Sequence, residues 1–219
     1  MLNVLLWLVA VEALGLAVFP LCYRLLPNLR DRGFAVSKPL GILLIAYLSW
    51  ILSVLRLVPS VQVSIAALLL TVGVLGWTYM WPQRRQLLEF ASRERVGLIA
   101  GELVFLVVFF AFVTYRAYDP DISHTEAPMD FMFLNASIVS DLGPPEDPWL
   151  RGETVSYYYF GYWMMGVLSQ LTGIASSISY NLSLALVPAL GAAGAFGLVY
   201  NMVGADSRRL RHAVVGGVA

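Results

Sequence analysis

Apolar residues in this chain run in long blocks, without the alternation of a half-buried strand. Blocks fall at about 2–22, 39–58, 61–81 and 96–115, separated by RLLPNLRDRGFAVSKP, the short RLVPS, and WPQRRQLLEFASRER. Each block holds the roughly 20 residues that a helix needs to cross about 30 Å of hydrocarbon. The pattern therefore predicts four membrane-spanning helices. From Thr154 to Ala205 none of the 52 residues is charged. That is too long for one span, and small polar residues near Thr172-Gly173 and Ser176-Ser177 divide it into two further helices, about 156–173 and 178–203. DSRRLRH followed by AVVGGVA reads as a polar turn and the start of another helix over 206–219, as expected for the N-terminal part of a longer protein.

Composition agrees with this pattern. Of 219 residues, 59% are hydrophobic and 13% charged, which excludes an ordinary soluble domain. The expected fold is all-α, a polytopic transmembrane helical bundle. The single cysteine, Cys22, excludes an intrachain disulfide and a cysteine-based metal site. The opening MLNVLLWLVAVEALGLAVF lacks a basic segment and a small-residue cleavage site, so it reads as a retained helix.

Charge adds an orientation. The linkers after the first and third helices carry Arg24, Arg30, Arg32, Lys38, Arg84, Arg85, Arg93 and Arg95, which the positive-inside tendency places in the cytoplasm. The opposing set is Arg56, Arg116, Arg151, Arg208, Arg209 and Arg211, a margin of eight to six. The 116–155 loop is then external, on a protein of the cytoplasmic membrane.

That loop carries most of the candidate chemistry. Thr125 can cap a helix, Pro128 suits its first turn, and Met129, Met132, Phe133, Ala136 and Val139 recur in helical register. On such a helix Glu126, Asp130, Ser137 and Asp141 fall within about 60° of arc. The expectation is an amphipathic juxtamembrane helix lying on the bilayer, its acidic stripe turned away from lipid. GPPEDPWLRGE follows as a proline-stiffened turn with Trp149 at the interface and Arg151 beside it. Two readings of the acids stand open. They solvate an external loop, or Glu126 and Asp130 converge with Asp119, Asp121 or Asp147 and one of them takes a proton from an acceptor hydroxyl. His124 among Asp119, Asp121 and Glu126 could complete a divalent-metal site, but an exposed loop histidine is the plainer reading, and neither metal nor cofactor is expected.

Two carboxylates sit inside predicted spans: Glu12 in the first helix and Glu102 in the fourth. Each raises an ion-pathway hypothesis, against an interhelical hydrogen bond for Glu12 and contact with interfacial water for Glu102.

The stretch SYYYFGYW, 156–163, packs six aromatic rings into eight positions. An interfacial belt accounts for rings near headgroups. Successive helical residues lie 100° apart, however, so Tyr157, Tyr158 and Tyr159 cannot all face lipid, and at least one hydroxyl is expected to point into the bundle or the acidic loop.

Taken together, HTEAPMDFMFLNASI, PPEDPWLRGETVSYYYFGYW, LTGI and the YNL at 180–182 resemble the YYY-type membrane proteins of unknown function (Chlor_Arch_YYY), over about 115–205. Ala127 stands where members of that family tend to carry a lysine. The family in turn resembles multi-spanning glycosyltransferases of the C-type fold, such as protein O-mannosyltransferases. The resemblance implies a transferase that moves a sugar from a polyprenyl-phosphate donor to an acceptor at the outer face of the membrane. Glu126 or Asp130 would be the catalytic base. Asp147, Trp149, Arg151 and Tyr157, Tyr158 and Tyr159 would bind substrate, with Arg151 and the tyrosine hydroxyls at the lipid phosphate. The implied partners are membrane lipid and the lipid-linked sugar, with no nucleic acid. The alternatives are a transporter or channel component built on Glu12 and Glu102, or a structural subunit of a membrane complex.

Overall fold

The computed structural model describes residues 1–204 and 216–217. Among them are seven α-helices: α1 Leu2–Leu25, α2 Phe34–Val54, α3 Gln62–Met80, α4 Arg84–Tyr118, α5 Ala127–Val139, α6 Phe160–Thr172 and α7 Ser176–Gly204. The helix expected to begin within 206–219 lies outside the described residues, except for 216–217.

Four stretches are long and apolar enough to cross a membrane: Leu2–Leu25, Phe34–Val54, Gln62–Tyr118 and Ser176–Val203. The third holds two antiparallel passes. Its direction reverses at the tight turn Trp81–Gln83, because Tyr79 of α3 meets Arg24 at the end of α1, while Phe90 of α4 packs back on Tyr23. The protein is thus a polytopic helical membrane bundle. One end carries the 26–33 linker with Asp31, and the other carries Ser60 and the 119–159 loop.

The core forms where Trp7, Val11 and Leu14 of α1 meet Ile45 of α2, Ile65 of α3, Phe105 and Phe109 of α4, and Leu186 of α7, all essentially sealed. α1 and α2 cross closely because Gly41 has no side chain. A Cβ there would lie 2.3 Å from the Leu14 carbonyl oxygen.

Two helices start earlier than the hydrophobic blocks imply. α2 begins at Phe34 and not at 39, since the Asp31 carboxylate accepts hydrogen bonds from the backbone N–H groups of Gly33 and Ala35, at 3.0 Å each, and so satisfies amides at the helix start. Lys38 is therefore inside the helix and buried, not in a polar linker. α4 begins at Arg84 and not at 96. The segment RRQLLEFASRER consists mainly of good helix formers without glycine or proline, and the ring of Phe90 gives it a seat between Phe19 and Tyr23.

The largest departure is α6. Its 13 residues extend about 20 Å, too short for a bilayer. Tyr159, just before it, bonds Trp50 near the loop end of α2, and Gln170 in its last turn donates to the Ser60 and Ile138 carbonyls, 2.8 Å each. Both ends of α6 thus stay at the loop end of the bundle. Of the two helices expected over 156–205, α7 is long and apolar enough to cross a membrane, whereas α6, with 13 residues, is shorter than a span requires.

The loop is docked on the bundle. The Asp141 carbonyl accepts from the Ser60 N–H at 2.7 Å and from the Ser53 hydroxyl at 3.1 Å, and the Gly143 N–H donates to the Ser53 carbonyl at 2.9 Å. Thr125 does not cap α5: it stands at φ 51°, and Glu126 occupies the position before the helix without a side-chain cap. α5 also ends at Val139, before Asp141.

Candidate functional site

The α5 face carrying Glu126, Asp130 and Ser137 is only partly turned to water: Glu126 is exposed and Asp130 half-buried. Leu134 and Ser137 on that face are buried, and α5 packs against α6 and α7. The approach is close: a Cβ added at Gly166 of α6 would make ordinary contact with Ser137 at 3.4 Å. Phe133 organises the junction. Its ring packs edge-on against Trp149 at 5.6 Å, stacks on Tyr157 at 5.4 Å and leans on Tyr162 at 5.5 Å.

Asp130 is thereby carried into a ring of phenols. The Tyr162 hydroxyl donates to Asp130 Oδ1 at 2.5 Å. Tyr158 and Tyr180 line the same cavity as Asp130, and Tyr180 also lies within electrostatic reach of Arg116. Tyr157 donates to the Tyr158 hydroxyl at 2.5 Å, with the two rings stacked 3.9 Å apart. That hydrogen bond, partial burial and the negative charges of Glu126 and Asp130 push the Tyr157 hydroxyl up to about 12, so it is a neutral donor at any physiological pH.

The cavity beside Asp130 measures about 490 Å³ and lies between α5, α6 and α7. Met164, Met165, Leu184 and Val187 make most of it apolar. Leu184 and Val187 are exposed on the flank of α7, so the cavity opens sideways, where lipid surrounds the bundle. Its polar groups are the Asp130 carboxylate and the hydroxyls of Tyr158, Tyr162, Tyr180 and Ser183. The cavity thus combines a mostly apolar wall with a hydrogen-bond acceptor and several hydroxyls.

The other sequence-derived residues fall around this centre unequally. Glu126 is exposed, one turn before Asp130 and on the same side. Asp147 holds its own turn: Oδ1 accepts from the Trp149 and Leu150 N–H groups at 2.8 and 3.2 Å, within a small hairpin closed by the Glu146–Thr154 bridge. Trp149 packs on Phe133. Arg151 lines a separate, more polar cleft of about 760 Å³ together with Met132, Ala136 and Val139. Those three residues lie about 180° to 240° around α5 from Asp130, so the helix stands between Arg151 and the carboxylate. The Tyr159 hydroxyl accepts from Trp50 Nε1 at 2.8 Å, whereas those of Tyr157 and Tyr158 bond each other.

Asp121 is engaged in its own turn by Ser123 and the Ile122 N–H, and His124 faces Asp119 at 3.6 Å. Among the described residues, no three histidine, cysteine, aspartate or glutamate side chains gather as a metal site.

Sequence reasoning missed Tyr162 and Tyr180. Tyr162 lies in the aromatic stretch already singled out, three residues past the tyrosine triplet, a spacing that brings a side chain near the face of Tyr159's helical neighbours only once α6 is formed. Tyr180 carries no such signal. Sequence reasoning also missed the fate of Glu12 and Glu102, which both contact buried Lys38.

A family model described as Uncharacterized membrane protein (DUF2298) matches residues 44–219, most of the chain, and the chain belongs to that family. The matched region contains the loop, α5, α6 and the whole Asp130 cavity, but not Glu12 or Lys38. Comparisons with curated proteins and with solved structures found no match.

Proposed function

We propose that this membrane protein transfers a sugar from a polyprenyl-phosphate donor to an acceptor hydroxyl at the loop end of the bundle, on the outer face of the cytoplasmic membrane, with Asp130 as the general base. The observation that carries this reading is the side-opening apolar groove with one carboxylate and a set of phenolic hydroxyls at its head. A prenyl tail fits the apolar part, against Met164, Met165 and Val187. The sugar and phosphate then lie at the boundary between lipid and water.

In the reaction the acceptor oxygen attacks the anomeric carbon, its proton passes to Asp130, and the bond from that carbon to the phosphate oxygen breaks, leaving the lipid phosphate with the electron pair. The Tyr162 hydrogen bond holds the Asp130 carboxylate in one orientation. Tyr158, at the cavity wall, is the donor offered to the phosphate, and Tyr157, which stays protonated, donates to the Tyr158 hydroxyl and leaves its proton free to face the phosphate. Glu126 on the exposed side is suited to pass the proton on to water. Because α5 separates Arg151 from Asp130, the reading withdraws Arg151 from the phosphate and leaves Asp147 and Trp149 as supports of the loop.

The test is transfer of labelled sugar from polyprenyl-phosphate donors in membranes containing the full-length protein or its Asp130→Asn variant, with insertion checked in both. Loss of about 100-fold or more is expected for a missing general base. Transfer that survives Asp130→Asn overturns the reading.

A further inference from the structure

A second polar centre lies away from the Asp130 cavity, nearer the Asp31 end of the bundle. Lys38 Nζ contacts Glu102 Oε2 at 2.5 Å and Glu12 Oε2 at 3.2 Å, joining α2, α4 and α1. The lysine side chain is only 7% exposed, with its ammonium over the rings of Phe34 and Phe105. We propose that Glu12, Lys38 and Glu102 form a proton-binding site inside the membrane, in which one proton is held between the two carboxylates and is exchanged through the Asp31 end.

Charge balance is the first argument. Two carboxylates share one ammonium, which leaves one negative charge within apolar surroundings, where an uncompensated charge is costly. No further cation faces the cluster among the described residues. α3 carries no charged residue at all, α6 carries none, and the described part of α7 contributes only the Tyr200 hydroxyl, one turn nearer the Asp31 end. Asp31 adds another acid there, while Arg30 and Arg93 are both engaged with Glu94. A bound proton restores neutrality.

Geometry is the second argument. Glu12 and Glu102 each place Oε2 on the same ammonium, at 3.2 and 2.5 Å, so the two carboxyl groups converge on one point. Two carboxyl groups held this close can share a proton, since a protonated one becomes a donor to the other. Glu12 Oε1 is moreover sealed from solvent without a hydrogen-bond partner, an arrangement that costs least when the carboxyl is uncharged. The side chain as a whole is 36% exposed, on the stripe of α1 where Leu5, Val9 and Leu16 are exposed.

A route is present. A cavity of about 20 Å³ touches Lys38 and Glu102 at its inner side and Asp31 and Tyr200 at its outer side. It is large enough for one water molecule with polar partners on both sides. A hydronium arriving at Asp31 gives its proton through that position to the Glu102–Glu12 pair and remains as water; release is the reverse. Nothing is oxidised or reduced.

The experiment is infrared spectroscopy of the full-length protein in lipid nanodiscs at neutral pH, in H2O and D2O. The wild type is expected to show a protonated-carboxyl C=O band that shifts in D2O and falls by one carboxyl in Glu12→Gln. Glu12→Gln mimics the neutral acid and should insert and melt as the wild type does. Lys38→Met removes the shared ammonium and should add a second protonated carboxyl. Absence of the band in the wild type overturns the proposal without any variant, and so does a band of unchanged intensity in both Glu12→Gln and Glu102→Gln. Sugar transfer by Asp130 is read in a different assay, so either proposal can fail alone.

Discussion

Tyr162, in the first turn of α6, donates a 2.5 Å hydrogen bond to Asp130, in the first turn of α5. Among the described residues it is the one direct side-chain bond between the short helix and the acid of the docked loop. A hydrogen bond to an ionised carboxylate contributes about 1.5–3 kcal/mol. Tyr162→Phe should therefore lower sugar transfer about tenfold or more while the protein remains inserted. Unchanged transfer in Tyr162→Phe would show that the carboxylate needs no such orientation.

Arg151 and Asp130 lie on opposite sides of α5. Arg151→Ala is expected to leave transfer within about twofold of the wild type, since a residue that touches neither donor nor base removes no transition-state interaction. A loss comparable to that of Asp130→Asn would instead return Arg151 to the leaving phosphate.

Tyr159 differs from its two neighbours because its hydroxyl serves Trp50 of α2. Tyr159→Phe should lower thermal stability by about 1 kcal/mol, the usual net worth of one hydrogen bond, and leave transfer unaltered. Tyr158→Phe should do the reverse. The two variants compared by thermal melt and by transfer assay separate the anchoring tyrosine from those at the cavity.

The short α6 makes a topological prediction. In a Cys22→Ser background, cysteines introduced at Ser156 and Ala175, on either side of α6, should both react with an impermeant thiol reagent added from one face of the membrane. Labelling from opposite faces would mean that the segment crosses.

Packing of α1 on α2 rests on the absent side chain of Gly41, where a Cβ would lie 2.3 Å from a backbone oxygen. Backbone cannot turn aside as a side-chain tip can, so Gly41→Ala should destabilise by about 1–3 kcal/mol, read as a lowered melting temperature in detergent. Gly161→Ala is the control, since nothing lies within 4 Å of a Cβ there.

The sequence by itself determined that this is a helical membrane bundle, because blocks of some 20 apolar residues have no other economical way to satisfy their backbone in hydrocarbon. It also located the loop helix and brought Glu126, Asp130 and the tyrosine triplet into view, since helical register and aromatic clustering are local properties. Only tertiary structure decided which way each of them faces. Asp130 turns inward while Glu126 stays exposed, because α6 packs on that side of α5 and the Phe133 ring fastens the junction, which periodicity does not encode. The stretch 156–173 has the apolarity of a span but stays at one end, since the Gln170 amide finds the Ser60 and Ile138 carbonyls there and Gly173, at φ 67°, ends the helix after 13 residues. Lys38 reads as a linker cation until the Asp31 carboxylate starts α2 before it and carries it into the bundle beside Glu12 and Glu102. Hydrophobic pattern records how much of a segment avoids water. Which partner meets each polar group depends on residues far away in the chain, and that is settled only when the helices pack.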